Sequence, residues 1–416
     1  MIKRERYLNA LIDRMNNGMI KVVTGIKRCG KSFLLFNIFY NYLLEHGIND
    51  NHIIRIQLDD ISNVELSDPR KLYTFIKSKI IDEDNYYVLL DEVQMVEHFE
   101  MVLNSLLHLD NVDTYVTGSN AKYLSSDIIT EFRGRGDQIH LSPLSFKEFF
   151  DASNLDFNDA WNEYSTFGGL PYILKCKTDD QKINYLNNLF NETYLKDIVN
   201  RNNIKNTDAL EDLLNIISSS VGSLTNPNKL SKTFKSIKNI DIAPNTINQY
   251  LKYCEDSFLI KKAYRYDVKG KNYIDTPFKY YFSDIGLRNA PLGFRQQEES
   301  HIMENIIYNE LTNRGYSVDV GVVTISEKND NGNYVKKQLE VDFVCNFGYE
   351  RYYIQSALNI DTREKREQEE RSLLRIDDSF RKAIIVRENI IKWKDEKGVL
   401  ILGLKEFLNN PDSIKS

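Results

Sequence analysis

Short apolar segments alternate with helical patterns along the first 150 residues. Five of these segments are rich in β-branched and aromatic residues and have the length of buried strands: 20–24, 53–58, 86–90, 114–117 and 139–141. Residues 33–40, which follow the first segment, are apolar nearly all round, as a helix buried in a core is. Strands that alternate with helices form a parallel sheet, so the pattern predicts an α/β domain over residues 1–150.

The pattern changes after Pro143, which cannot donate a hydrogen bond to a sheet. Ser145 followed by Glu148 predicts a helix that starts with a capping box. Helical spacing continues to about residue 205, with one break at the turn signal of Gly168, Gly169 and Pro171. We therefore expect a helical lid over residues 151–205, beside a nucleotide.

Residues 206–290 have the element order of a winged helix. Helical patterns at 208–217, 229–234 and 244–253 precede strand-like segments at 258–260 and 263–266, and 269–271 is the expected tip of the wing. Pro244 lies early in the third pattern, where helices accept proline. Such a third helix can enter a DNA major groove. The alternative is a winged helix that only packs against its neighbours.

Residues 295–416 predict a separate α/β domain. An amphipathic pattern at 301–311 precedes strand-like segments at 318–325, 339–345, 352–356, 383–386 and 399–402. Asn331-Gly332, between the first two of these strands, is a hairpin signal. The highly charged segment 362–375 predicts a solvated helix face.

The loop after the first predicted strand carries the strongest chemical signal. Its sequence fits G-x-x-x-x-G-K-[ST], the phosphate-binding loop of nucleoside triphosphatases, and stands between a strand and a helix as that motif requires. Backbone N–H groups of such a loop and the following helix N-terminus attract phosphate. Lys31 is expected to reach the β- and γ-phosphates and Ser32 to hold Mg²⁺. The residues expected to bind ATP here are Gly25, Ile26, Lys27, Arg28, Cys29, Gly30, Lys31, Ser32 and Phe33.

Two acids end the third predicted strand, about sixty residues later. Asp91 is expected to bind Mg²⁺ with Ser32, as the carboxylate of such sites does. Glu92 is expected to orient or deprotonate the attacking water. A buried strand that merely ends at an acidic turn is the alternative.

Further polar candidates follow the fourth strand, at the edge where ligands bind in open α/β sheets. Ser119 or Asn120 is a candidate sensor of the γ-phosphate or of the attacking water, unless these residues only cap a helix. Arg133 and Arg135 are candidates to touch the γ-phosphate, in cis or across a subunit boundary. A basic surface loop is the alternative for both.

Composition excludes several classes of protein. No run of about twenty apolar residues predicts a membrane-spanning helix, and residues 1–6 lack the apolar core of a signal peptide. The four cysteines, at positions 29, 176, 254 and 345, have no metal-binding spacing. These features predict a cytoplasmic protein without membrane contact. Cys29 either fills space in the phosphate loop or acts as a redox switch.

Charge is unevenly distributed along the chain. The net charge is −6, yet residues 221–280 contain ten lysines and one arginine against five acids. A basic region in an acidic chain indicates contact with a polyanion such as double-stranded DNA, or else a solvated lysine-rich face. In the third helical pattern the candidate DNA-facing residues are Asn245, Asn248, Gln249 and Lys252.

The chain resembles the prokaryotic AAA-type ATPases that have a restriction-endonuclease-like C-terminal domain. The likeness covers nearly the whole length and rests on segments 25–32, 88–92, 117–120, 133–135, 141–146, 168–171, 279–289, 304–305, 340–343 and 353–355. It implies an α/β fold in which a P-loop sheet with a helical lid precedes a winged helix and a small nuclease-like domain. It also implies ATP and Mg²⁺ as ligands.

The nuclease-like tail departs from the pattern of active enzymes. Nucleases of this fold place an aspartate on one strand and Glu/Gln-x-Lys on the next, with a carboxylate from a helix. Asp342, Gln355 and Glu304 fit these positions, but Ala357 stands where the lysine belongs. We therefore expect a degenerate scaffold. Residual metal binding stays open, because Glu340 and Asp342 share one side of their strand.

Three functions are compatible with the sequence. The leading hypothesis is an ATP-driven switch that hydrolyses ATP and acts with DNA or a partner protein. The second is a DNA-binding regulatory protein that uses ATP only as a ligand. The third is an active Mg²⁺-dependent DNA nuclease.

Overall fold

The computed structural model describes residues 2–118, 134–295, 298–328 and 333–415. The chain divides into two compact units. The first comprises Met1–Pro143, Leu170–Tyr172 and Asp256–Phe258, and the second comprises Leu144–Gly169, Ile173–Glu255 and Leu259–Ser416. Within the described ranges, no helix combines the length and apolar character needed to cross a membrane.

The first unit is built on a parallel sheet of five strands. The strands are β1 (Ile20–Thr24), β2 (Ile53–Gln57), β3 (Tyr86–Asp91), β4 (Val112–Thr117) and β5 (Gly136–His140). Their order is β2-β3-β4-β1-β5, and every pairing is parallel. β1 and β3 are buried along their whole length, as central strands of a parallel sheet are. The five strands predicted from the sequence are confirmed.

Helices join these strands. They are α1 (Glu5–Ile12), α2 (Lys31–Phe33), which continues through a π-helical turn (Leu34–Phe39) into α3 (Tyr40–Glu45), α4 (Pro69–Lys79) and α5 (Phe99–Leu106). The Asp68 side chain caps α4 by accepting from the Arg70 and Lys71 N–H groups, and Pro69 occupies the first turn, which needs no donor there. Apolar residues of α4 and α5 pack in one core with β1, β3 and β4.

The second unit begins with helices, as the sequence predicts. They are α6 (Phe146–Ser153), α7 (Phe157–Phe167), α8 (Asp179–Asn188), α9 (Lys196–Arg201), α10 (Thr207–Ser219), α11 (Pro227–Thr233), continued by a π-helical turn (Phe234–Lys238), and α12 (Pro244–Asp256). The predicted capping box is present, because the Ser145 hydroxyl accepts the Glu148 N–H and the Glu148 carboxylate accepts the Ser145 N–H. Short helices α13 (Ile285–Asn289) and α16 (Leu404–Asn409), and longer helices α14 (Glu299–Asn313) and α15 (Arg363–Leu373), follow.

A mixed sheet of eight strands forms the rest of the second unit. The strands are β6 (Ile260–Asp267), β7 (Asn272–Phe282), β8 (Ser317–Lys328), β9 (Tyr334–Phe347), β10 (Glu350–Ala357), β11 (Arg381–Val386), β12 (Trp393–Lys394) and β13 (Leu400–Gly403), in the order β12-β13-β11-β10-β9-β8-β6-β7. β6 pairs in parallel with β8, so the β6–β7 hairpin is continuous with the C-terminal strands. The sequence does not predict this continuity. The Asn331-Gly332 hairpin signal lies outside the described residues.

Candidate functional site

The loop between β1 and α2 has a backbone that requires glycine at two positions. Gly25 has φ 145°, and a Cβ there would lie 2.1 Å from the Leu141 carbonyl oxygen. Gly30 has φ 103°, a conformation that residues with a Cβ rarely adopt, and it directly precedes α2. Both motif glycines are therefore explained by local geometry. The loop lies at the C-terminal end of β1, the edge where ligands bind in open α/β sheets.

The remaining loop residues differ in exposure. Ile26 and Cys29 are buried, Lys27 is half-buried, Arg28 is exposed, and Phe33 is 43% exposed. The Cys29 thiol lies 3.4 Å from the Leu141 carbonyl oxygen, and burial raises the pKa of this thiol. A buried, protonated thiol is a poor redox group, so these contacts favour Cys29 as a space-filling residue.

Lys31 lies inside the loop and is only 4% exposed. Its Nζ donates to the Gly25 and Ile26 carbonyl oxygens, at 3.1 Å each. No carboxylate in the described part of the chain forms an ion pair with this ammonium. Because its partners are neutral dipoles, the charge of Lys31 is left to act on an anionic ligand.

Ser32 and Asp91 meet at the same edge of the sheet. The Ser32 side chain is close enough to the Asp91 carboxylate to act on its pKa, and the Thr117 hydroxyl donates to Asp91 Oδ1. Asp91 is buried, and this burial raises the pKa of its carboxyl group, although both hydroxyl contacts act in the opposite direction. A hydroxyl and a carboxylate are ligands that Mg²⁺ accepts, so the pair fits the cation expected with ATP.

Glu92 is the first residue after β3 and has φ 50°, in the left-handed region. Its N–H donates to the Thr117 hydroxyl at 2.9 Å. The Gln94 side-chain amide donates to Glu92 Oε2. The strand end therefore holds the Glu92 backbone, and Gln94 orients its carboxylate.

Thr117 links both acids and was not predicted as a site residue. Its hydroxyl donates to Asp91 and accepts from the Glu92 N–H. This position follows from the register, in which Leu90 pairs with Val116, so that the last residues of β3 and β4 are neighbours. The sequence feature that could have identified Thr117 is a hydroxyl residue at the end of the fourth predicted strand.

The structure does not bring Arg135 to the phosphate loop of its own chain. The Arg135 carbonyl oxygen accepts the N–H of Ile20, the first residue of β1, and Gly136 pairs with Ile20. A strand of five residues spans about 16 Å, so Arg135 lies at the opposite edge of the sheet from the phosphate loop. The expectation that Arg135 acts in cis is therefore wrong. Ser119, Asn120 and Arg133 lie outside the described residues.

Two of the expected nuclease residues of the second unit, Asp342 and Gln355, are neighbours, because Gln355 Oε1 accepts the Asp342 N–H at 2.7 Å. Val341, Tyr353 and Ala357 pack in one core with Leu373 of α15. Gln355 lies between Tyr353 and Ala357 on β10 and so shares their face of that strand. Burial raises the pKa of Glu369 on α15, which the nearby Gln355 side chain partly offsets, and Glu304 of α14 is close enough to act on the Asp342 carboxylate.

Two domain families match this chain. Residues 17–150 match a family described as an AAA domain (AAA_14). Residues 158–298 match a domain of unknown function (DUF8612).

Among solved structures, Cdc6p from Pyrobaculum aerophilum is 11% identical and has a TM-score of 0.30, with 73% of this chain and 94% of that chain covered. The Aeropyrum pernix ORC1 protein in complex with DNA is 9% identical and has a TM-score of 0.29, with 72% of this chain and 93% of that chain covered. Likeness at this level carries no argument about activity.

Relatives of nearly the full length are found in bacteria and archaea. A Methanocaldococcus jannaschii protein is 27% identical over 384 residues, which cover 88% of this chain and 81% of the relative. An uncharacterized protein of Haemophilus influenzae is 34% identical over 391 residues, which cover 92% of this chain and 93% of the relative. The chain therefore belongs to the family of the Haemophilus influenzae protein, and its residues 17–150 form an AAA-type P-loop domain.

Proposed function

We propose that this protein is a switch ATPase that binds ATP with Mg²⁺ and hydrolyses it. The observation that carries the proposal is the convergence of Lys31, Ser32 and Asp91 at one edge of the parallel sheet. Their motifs are about sixty residues apart, yet the Ser32 side chain is close enough to the Asp91 carboxylate to act on its pKa. This proximity of two motifs that are distant in sequence supports a shared binding site.

Each residue has a role that follows from its contacts. Lys31 stabilises charge on the β- and γ-phosphates with the loop N–H groups. Ser32 and Asp91 hold Mg²⁺, which when bound neutralises phosphate charge. Glu92 orients or deprotonates the attacking water, and Thr117 fixes Asp91 relative to the Glu92 backbone.

Steady-state ATP turnover of Lys31→Ala and Glu92→Gln tests this proposal. Loss of one group that stabilises developing charge typically costs about 10²–10³ in rate, and loss of a general base about 10²–10⁴. Glu92→Gln should still bind ATP, because the phosphate loop is unchanged. Glu97→Gln is the matched control, since Glu97 is a highly exposed acid five positions along. Turnover close to wild type in both site variants would contradict the assignment.

DNA binding through residues 206–290 is a second candidate, supported by the exposed face of α12. Ile247, Tyr250 and Leu251 are buried on one side of this helix. The opposite side exposes Asn245, Asn248, Gln249 and Lys252. These side chains are of the types that contact bases and phosphates.

We interpret the elements around α12 as a winged helix. α10 and α11 precede it and the β6–β7 hairpin follows, with an antiparallel bridge between Thr225 and Phe278. A row of exposed lysines continues the basic surface through α11 and its π-helical turn: Lys229, Lys232, Lys235 and Lys238. Asp212 pairs with Lys238 and Asp241 with Lys235, which lowers the net positive charge of this row.

Duplex binding at several salt concentrations tests this second candidate. Charge reversal at Lys232, Lys235, Lys252 and Lys269 should weaken binding and lower its salt dependence by up to about one counterion per lost phosphate contact. Four exposed lysines elsewhere form the control set: Lys71, Lys147, Lys196 and Lys365. Equal affinity of the two variants and wild type would exclude DNA contact through this surface.

A further inference from the structure

The second unit contains a largely buried group of polar and charged side chains that the proposed ATPase does not use. Glu304 extends from α14, and Glu340 and Asp342 lie on β9. Lys279 and Tyr281 lie two positions apart on β7, so they share one face of the strand. These five residues are called the acidic cluster below.

Lys279 bridges two of the carboxylates. Its Nζ lies 2.8 Å from Glu304 Oε1 and 2.7 Å from Glu340 Oε1. Tyr281 OH donates to the same Glu304 oxygen at 2.6 Å. Lys279 is only 3% exposed, so its ammonium has exchanged water for these two acids. Burial alone would lower the pKa of Lys279, but the carboxylates of Glu304 and Glu340 raise it above its ordinary value.

The Asp342 carboxyl group has different partners. Its Oδ2 accepts the Ser356 N–H at 2.8 Å. Burial, and then the negative charge of Glu304, raise the pKa of the Asp342 carboxyl group well above its usual range. The Asp342 carboxyl group therefore favours its protonated form more than an ordinary aspartate does.

A divalent cation of the kind found in restriction-endonuclease-like enzymes does not fit this arrangement. Such a cation needs ionised carboxylates with open coordination positions. Here Glu304 and Glu340 already bind an ammonium, and Gln355 Oε1, the oxygen expected beside Asp342, already accepts the Asp342 N–H. Ala357, at the position of the nuclease lysine, offers no amine.

We propose that the ammonium of Lys279 takes the place of a divalent cation in the acidic cluster, which makes the second unit an ion-paired scaffold rather than a metal centre. The lysine that Ala357 replaces in the nuclease pattern is thus compensated by a lysine from a different strand, acting as a counter-ion and not in catalysis. This inference does not depend on ATP binding by the first unit.

The proposal predicts that removal of the ammonium creates a metal site. The full-length chain, free of nucleotide, is titrated with Mn²⁺ and bound Mn²⁺ is counted by electron paramagnetic resonance. Lys279→Met keeps the length and packing of the side chain and removes its charge. It should bind one more Mn²⁺ per chain than wild type, at least about tenfold more tightly than the wild-type cluster, because a close like charge is removed. Asp342→Asn added to Lys279→Met should abolish the extra ion.

Lys262→Met is the matched control. Lys262 lies on the neighbouring strand β6, where its ammonium stands over the rings of Tyr264 and Phe278. No acid in the described residues pairs with it. This variant also loses one partly buried lysine, and it should gain no Mn²⁺.

A folding measurement covers the case in which Lys279→Met is unstable. Without the ammonium, the buried Glu304 and the partly exposed Glu340 have lost their shared counter-ion. Mn²⁺ should therefore raise the thermal unfolding midpoint of Lys279→Met and leave that of Lys262→Met unchanged. Two results would overturn the proposal: Asp342-dependent Mn²⁺ binding by wild type, or a Lys279→Met chain that neither binds Mn²⁺ nor is stabilised by it.

Discussion

Lys31 in the first unit and Lys279 in the second are almost equally buried, but they have opposite partners. The Lys31 ammonium touches two backbone carbonyl oxygens, whereas the Lys279 ammonium touches two carboxylates. Neutral dipoles hold a charge in place without cancelling it, so Lys31 still attracts phosphate. The carboxylates around Lys279 cancel its charge. What distinguishes a binding site from a scaffold here is the partner of the lysine and not its burial.

The buried aspartates of the two units make the same point. Burial raises the pKa of both Asp91 and Asp342. Asp91 is held by the neutral hydroxyl groups of Ser32 and Thr117, so a bound cation would lower its electrostatic cost. Asp342 already has the ammonium of Lys279 nearby, and Glu304 favours its protonated form.

Loss of the two lysines should affect folding very differently. Removal of one partner from a buried ion pair typically costs about 3–5 kcal/mol, because the other charge stays buried and unpaired. Lys279→Met should lose about this much free energy of unfolding without Mn²⁺. Lys31→Met should lose less, about 1–3 kcal/mol at most, since it leaves neutral carbonyl oxygens without a donor but no unpaired charge. Denaturant unfolding of both variants measures these losses. Equal losses of unfolding free energy would contradict the proposed difference between Lys31 and Lys279.

Substitution of Thr117 tests the proposed nucleotide site of the first unit. Thr117→Val keeps the shape of the side chain but removes the hydroxyl group that holds Asp91 and the Glu92 N–H. We expect ATP turnover to fall by about 10–100-fold, which corresponds to the cost of an unsatisfied buried polar group. Thr117→Ser should restore most of it. Thr114→Val is the control, because Thr114 is also buried on β4 but lies three positions away. Equal turnover of both valine variants would show that the hydroxyl is not needed.

Asp91→Asn should stabilise the nucleotide-free protein by about 1 kcal/mol while it weakens Mg²⁺ binding, a trade-off typical of functional sites. The pKa of Asp91 is raised in the folded state, so the ionised carboxylate opposes folding. The gain from asparagine should therefore be absent at acidic pH, where Asp91 is protonated. It should grow as the pH rises through the raised pKa. Unfolding midpoints of both proteins over a pH series measure this difference, and a gain that is independent of pH would contradict the electrostatic explanation.

The sequence is most informative where function depends on neighbouring positions. Gly25, Gly30 and Lys31 belong to one strand–loop–helix segment, so the motif alone predicts their conformation. The capping box of Ser145 and Glu148 is equally local, and it is confirmed.

The unpredicted features depend on which strands pair and in what register. Thr117 reaches Asp91 because β3 and β4 are aligned at Leu90 and Val116. Lys279 meets Glu340 because both project into the acidic cluster from different strands of the eight-stranded sheet. A motif search tests only position 357 for the nuclease lysine. It does not detect Lys279, whose amine comes from a different strand.

Equilibrium binding of a fluorescent ATP analogue, with and without Mg²⁺, tests the main claim most directly: Lys31, Ser32 and Asp91 form one site for Mg²⁺ and ATP. Wild type should bind one nucleotide per chain, and Mg²⁺ should tighten this binding. Lys31→Ala should lose most of the affinity, and Ser32→Ala and Asp91→Asn should lose the effect of Mg²⁺. Nucleotide binding that none of these substitutions changes, or no binding by wild type, would contradict the account.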